Sequence, residues 1–77
     1  MTFDYSKLRG KIVERYGTVK AFSGEMGFNP SWLIGILNSG KAFKTETAYK
    51  IANALGITDE IGDYFFTIAV LKTEHSA

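Results

Sequence analysis

Apolar positions along the chain recur mostly at three- and four-residue intervals, the period of one helical face. Tyr5, Leu8, Ile12 and Tyr16 make the first such face. Asp4 stands where an N-cap is expected, and Phe3 and Leu8 have the spacing of a hydrophobic staple. Gly17 is the predicted stop, because a helix commonly ends on a residue with a left-handed backbone. Thr18 then caps a second helix, Val19 to about Met26, with Phe22 and Met26 inward and Gly27 as its stop. A third helix opens at Asn29-Pro30, with Asn29 as cap and Pro30 at the first helical position, where a missing N–H costs nothing. It carries Trp32, Leu33, Ile36 and Leu37, and Asn38-Ser39-Gly40 signals a turn. Phe43 anchors the following connection.

A fourth helix runs from about Glu46 to Leu55, with Ala48, Ile51, Ala52 and Leu55 on one face and Gly56 behind it. Thr58 is the expected cap of a short fifth helix whose apolar positions are Ile61, Tyr64, Phe65 and Ile68. Asp59 and Glu60 suit its positive N-terminal end. Thr67 to Leu71 reads either as an extension of that helix or as a short strand, with its β-branched residues leaning toward strand.

The most informative stretch is Val19 to Asn38. Two short helices joined only by Gly27-Phe28-Asn29 must cross steeply, as in a helix-turn-helix. Ser23 is small where the two helices touch, Gly27 supplies the left-handed turn, and Phe28, Leu33 and Ile36 are apolar where the unit seals against the first helix. The chain of 77 residues is read as one domain over 1–77, with the helix-turn-helix at about 19–38 and a tail at about 67–77.

Composition narrows the chemistry. There are no cysteines, and the single histidine, His75, lies three residues from the end, so neither a zinc site nor a His-based catalytic group is expected. Asp59 and Glu60 are explained by a helix N-terminus, and no glycine-rich phosphate loop is present. The expectation is a protein that is not an enzyme and needs neither cofactor nor metal. No apolar run reaches the ~18–20 residues of a membrane span and no signal peptide opens the chain, so a cytoplasmic protein without a membrane partner is expected. Charge is unevenly spread within a net of +1. Tyr5 to Lys50 holds eight bases against three acids, whereas Ile51 to Ala77 holds one base against four. One side of the fold is thereby suited to a polyanion, or both are ordinary solvated surfaces.

The chain resembles the small repressor and Cro-type regulators of temperate phages. It is most similar to short phage proteins that open like Phe3-Asp4-Tyr5-Ser6-Lys7-Leu8-Arg9-Gly10, carry a stretch like Leu33 to Asn38, and close near Glu60-Ile61-Gly62-Asp63-Tyr64-Phe65-Phe66. The likeness spans roughly residues 3–70. It implies an all-α, compact five-helix, lambda-repressor-like domain with a short extended C-terminal tail. It also implies operator binding in a genetic switch inside a bacterial host; a homodimer joined through the fifth helix and the Thr67–Leu71 tail is a further expectation. Carried over, the third helix would read the major groove of double-stranded DNA through Asn29, Ser31 and Trp32, with Ile34, Gly35 and Asn38 on its outer face. Lys20, Lys41 and Lys44 would grip phosphates, with Lys7 and Lys11 as further candidates.

A second reading stays open. Base edges are read best by Arg, Lys, Asn or Gln, yet no basic residue lies between Ala21 and Gly40. Exposed Trp and Ile are what a protein-binding hot spot looks like. On this alternative the same fold is an antirepressor that binds a phage repressor protein through Trp32, Ile34 and Phe66. Trp32 is equally open to a place in the core, and Asn29 to a purely capping role.

Overall fold

The first helix begins one residue later than its acidic cap suggests. Tyr5 occupies the N-cap position without a side-chain cap bond. Asp4 Oδ1 instead accepts from the Ser6 N–H at 2.9 Å and the Ser6 hydroxyl at 2.6 Å. A short carboxylate reaches most easily to the backbone two residues ahead, so Asp4 builds a turn that leads into the helix. In the computed structural model, which describes residues 2–68, α1 spans Ser6–Tyr16, α2 Val19–Met26, α3 Pro30–Ser39, α4 Thr45–Leu55 and α5 Ile61–Phe65. The fold is all-α. Its one β feature among the described residues is an isolated antiparallel bridge between Phe3 and Ile68.

The apolar faces meet as the periodicity predicts. Leu8 and Ile12 of α1, Phe22 of α2, Leu33 of α3, Ile51 and Ala52 of α4, and Phe65 of α5 are all essentially sealed from solvent. At roughly 25 cal/mol per Å² of apolar surface removed from water, each of the larger side chains stabilises the fold by about 1.5–3 kcal/mol. Helix α1 packs on α2, α4 and α5, α2 packs on α3, and α4 on α5. Ser23 is buried where α2 is crossed, and its hydroxyl donates to the Val19 carbonyl at 2.9 Å, so the buried oxygen carries no unpaired proton.

The N-terminal segment straps the two ends of the fold together. Phe3 N–H donates to the Gly40 carbonyl at 2.9 Å, and Asp4 N–H to the Thr67 carbonyl at 2.7 Å. The Tyr5 hydroxyl donates to the Lys41 carbonyl at 2.6 Å. Burial pushes the Tyr5 phenol above its ordinary value near 10, and a backbone hydrogen bond from Phe43 draws it partly back. Gly40 ends α3 with φ +77°, and a Cβ there would lie 2.6 Å from the Phe3 carbonyl oxygen. Only glycine allows both that backbone and that approach. Because Gly40 N–H still reaches the Ile36 carbonyl at 2.9 Å, α3 continues through Ser39, past the turn expected at Asn38.

Two further expectations are corrected near the chain end. Thr58 caps nothing, since it lies inside a 3₁₀ turn, Thr58–Glu60, that feeds α5. Buried Ile57 draws the chain inward at that point and leaves no free helix start for Thr58 to cap. Ile68 is 46% exposed rather than on the core face of α5, because the chain has already left the helix at Phe66 and bridges to Phe3. Thr67 lies past the end of α5, with its hydroxyl donating to the Asp63 carbonyl at 2.7 Å. The rest of the expected tail, residues 69–77 with His75, lies outside the described residues.

Candidate nucleic-acid interface

The α2–turn–α3 unit is built from caps. Thr18 Oγ1 accepts from the Ala21 N–H at 3.0 Å and starts α2. Gly27 turns left-handed at φ +75°, which lets Phe28 N–H close back onto the Ser23 carbonyl at 2.9 Å. Asn29 Oδ1 accepts from the amides of Ser31 at 2.9 Å and Trp32 at 3.2 Å. That oxygen is spent on starting α3, so the exposed Asn29 acts as a cap and has only its amide N–H donors left to offer.

Helix α3 buries Leu33 and Leu37 and partly buries Ile34 and Ile36. Its outward surface is therefore Ser31, Trp32, Gly35, Asn38 and Ser39, all exposed. Ile34 departs from its expected place beside them. It packs partly on the core, because residues two apart on a helix are rotated by roughly 200° and cannot share a face. Trp32 and Ile34 accordingly lie on opposite flanks of α3 and do not form one apolar patch.

Trp32 is 43% exposed. Its ring is braced edge-on against Phe28, with centroids 5.3 Å apart, and against Phe43 at 6.2 Å. It is neither a core residue nor a loose one. Beside it runs an open groove of about 340 Å³ walled by Trp32, Gly35, Ile36, Ser39, Lys41 and Ala42. The absent side chain of Gly35 makes the floor of that face flat.

The bases divide into two groups. Lys20 in the first turn of α2, and Lys41 and Lys44 in the link from α3 to α4, are exposed. The two lysines of α1 are turned to partners within the protein. Lys7 Nζ lies 4.9 Å from the centre of the Tyr64 ring, and Lys11 pairs with Glu14 at 3.3 Å. Lys50 stacks its ammonium 5.4 Å from the centre of Phe28, a contact that no motif announced. Arg9 was likewise unmarked by the sequence pattern. Its Nη2 donates to Asn38 Oδ1 at 2.5 Å and so ties α1 to the outward face of α3 across 29 residues of chain. Phe66 is 48% exposed and meets the Phe3 ring edge-on at 5.9 Å in the strap region.

Chemically, this surface can donate hydrogen bonds and attract anions around a flat helix face with one braced aromatic edge. Among the described residues no three His, Asp or Glu side chains gather to hold a metal ion, and no helix is long and apolar enough to cross a membrane. Comparison with known families finds one whose description reads "Protein of unknown function (DUF739)", matching residues 1–68. No curated protein matches the chain.

Proposed function

The chain belongs to the DUF739 family, and from that premise we propose that it is a DNA-binding transcriptional regulator that presents α3 to the major groove. The observation that carries the reading is the face of α3. Ser31, Gly35 and Asn38 stand outward in one row with the exposed Trp32 ring at its flank, while the caps at Thr18 and Asn29 fix the crossing of α2 and α3. Gly35 leaves open space on that face, and Lys20, Lys41 and Lys44 supply cations around it. The likeness to Cro-type phage regulators supports the same assignment and a role in a genetic switch of a phage carried by a bacterial host. A homodimer joined near α5 and the exposed Phe66 and Ile68 would set two half-sites about 34 Å apart.

The test is selection of duplexes from a randomised pool by the purified chain, followed by titration of selected and random duplexes at low and physiological salt. Tight binding to the selected duplex, with a steep salt slope, supports the reading. Equal, weak binding to both that vanishes at physiological salt rejects it.

One observation favours a second reading. The braced, 43% exposed ring of Trp32 is the kind of rigid aromatic anchor that dominates protein interfaces. On that reading the protein is an antirepressor and its partner is a phage repressor. Trp32→Ala would then abolish repressor capture while leaving the fold intact, and unaltered capture would remove the idea.

A further inference from the structure

The Arg9–Asn38 bond determines what Asn38 can offer. Arginine has five N–H donors and no acceptor, so the Asn38 amide oxygen must be the atom that faces it. This orients the amide without ambiguity, and its two N–H bonds point away from Arg9. The pair as a whole then presents amide N–H and unused guanidinium N–H groups, carries one positive charge, and has its best acceptor already engaged. Adenine, which asparagine reads by donating to N7 and accepting from N6, is poorly served by such a set. An oxygen anion is well served, because the pair offers it a charged donor and a neutral one side by side and needs only acceptors in return.

Position points the same way. In a docked helix-turn-helix the N-terminal part of the recognition helix enters the groove. Asn38 lies in the last turn of α3, and Arg9 reaches it from α1. Both line an open cleft of about 500 Å³ between the start of α1 and the end of α3, together with the hydroxyls of Ser6 and Ser39. The one carboxylate in its wall, Asp4, has Oδ1 turned onto the Ser6 N–H and hydroxyl.

We propose that Arg9 and Asn38 form a two-helix clamp for a single DNA backbone phosphate. The clamp fixes the register of α3 and reads no base. This rests on the DNA-binding reading above and departs from it at Asn38, which the family likeness would make part of the groove-reading face.

The test uses the full chain and the duplex that the wild type itself selects from a randomised pool. Arg9→Ala lowers affinity for that duplex by on the order of tenfold at physiological salt and flattens the salt slope by about 0.9. Asn38→Ala lowers it severalfold with the slope unchanged, because no charge is lost. Asn38→Asp keeps an acceptor for Arg9 but removes the outward donors, and it binds more weakly than Asn38→Ala. Selection repeated with each variant returns the wild-type sequence. One methylphosphonate linkage, neutral where phosphate is charged, reproduces the loss in the wild type and adds little to the loss in Arg9→Ala. Asn38 is exposed and Arg9 half-buried, and unchanged far-UV circular dichroism and melting temperature verify that the variants are folded. A changed base preference in any variant overturns the clamp, as does a variant series that binds like the wild type. A wild type that enriches no sequence and binds no duplex overturns the DNA-binding reading itself, and the clamp with it.

Discussion

Gly35 offers the sharpest perturbation of the α3 face, because stability and binding should move independently there. It lies mid-helix, its backbone is helical, and an added Cβ would meet nothing within 4 Å. Glycine in a helix interior costs roughly 0.5–1 kcal/mol relative to alanine, and lysine and glutamate recover most of that difference. Gly35→Lys and Gly35→Glu should therefore both be more stable than the wild type by about 0.5 kcal/mol, a rise of roughly 2–4 °C in melting temperature for a domain of this size. Their effects on DNA should have opposite signs. A unit charge about 6 Å from a phosphate interacts by roughly 0.7 kcal/mol at the dielectric constant of water and about 2.8 kcal/mol at an effective value of 20. Gly35→Glu is thus expected to weaken binding by about 3- to 100-fold, and Gly35→Lys to strengthen it and steepen the salt slope by about 0.9. Thermal melting and duplex titration measure the two quantities separately. If Lys and Glu weaken binding equally, the face docks against something other than a polyanion. If neither has an effect, α3 is not the docking helix.

Other positions carry separate expectations. Gly40→Ala and Gly56→Ala share the strain of a left-handed alanine, roughly 1–2 kcal/mol. Only at Gly40 would the new Cβ strike backbone, 2.6 Å from the Phe3 oxygen against 3.8 Å from Arg15 Nη2 at Gly56, so urea denaturation should rank Gly40→Ala clearly the less stable. Alanine at Lys41 and Lys44 should weaken binding evenly across duplex sequences and lower the salt slope by about 0.9 per residue, whereas altered sequence preference would contradict their role as backbone contacts. The raised Tyr5 phenol has a signed consequence for pH. The unfolded chain loses that proton near pH 10 while the folded chain holds it, so stability is full below pH 10 and declines above it. Tyr5→Phe should lose about 1 kcal/mol at neutral pH, with the Lys41 hydrogen bond gone, and should show less of the alkaline decline in denaturant titrations at high pH.

The elements were legible because punctuation and period agree. Gly17, Gly27, Gly40 and Gly56 all have positive φ and stand at helix ends, and Thr18 and Asn29 cap as their side chains allow. Less legible were features set by tertiary contact. Asp4 bonds Ser6 in a turn ahead of α1 and does not cap it, and Phe3 and Asp4 are held there by Gly40 and Thr67, partners far away in sequence. Thr58 lost its cap to the inward pull of Ile57. Periodicity alone could have separated Ile34 from Trp32, since a two-residue step changes the helix face. Nothing in spacing could have paired Arg9 with Asn38, which lie on different helices and bring together two polar side chains that each read as surface. The fold thus follows from the local pattern, while the polar chemistry of the α3 face depends on how α1 lies against it.

Trp32 supplies its own probe of the central claim. It is the only tryptophan in the chain and stands 43% exposed on α3, braced by Phe28 and Phe43. Its fluorescence should be followed while a selected duplex is added at physiological salt. The account predicts a saturable change in intensity or emission maximum, at the stoichiometry of specific binding, that random duplex does not produce. Emission that stays constant while the duplex binds by gel shift would mean that α3 is not in the groove, and no binding at all would contradict the claim outright.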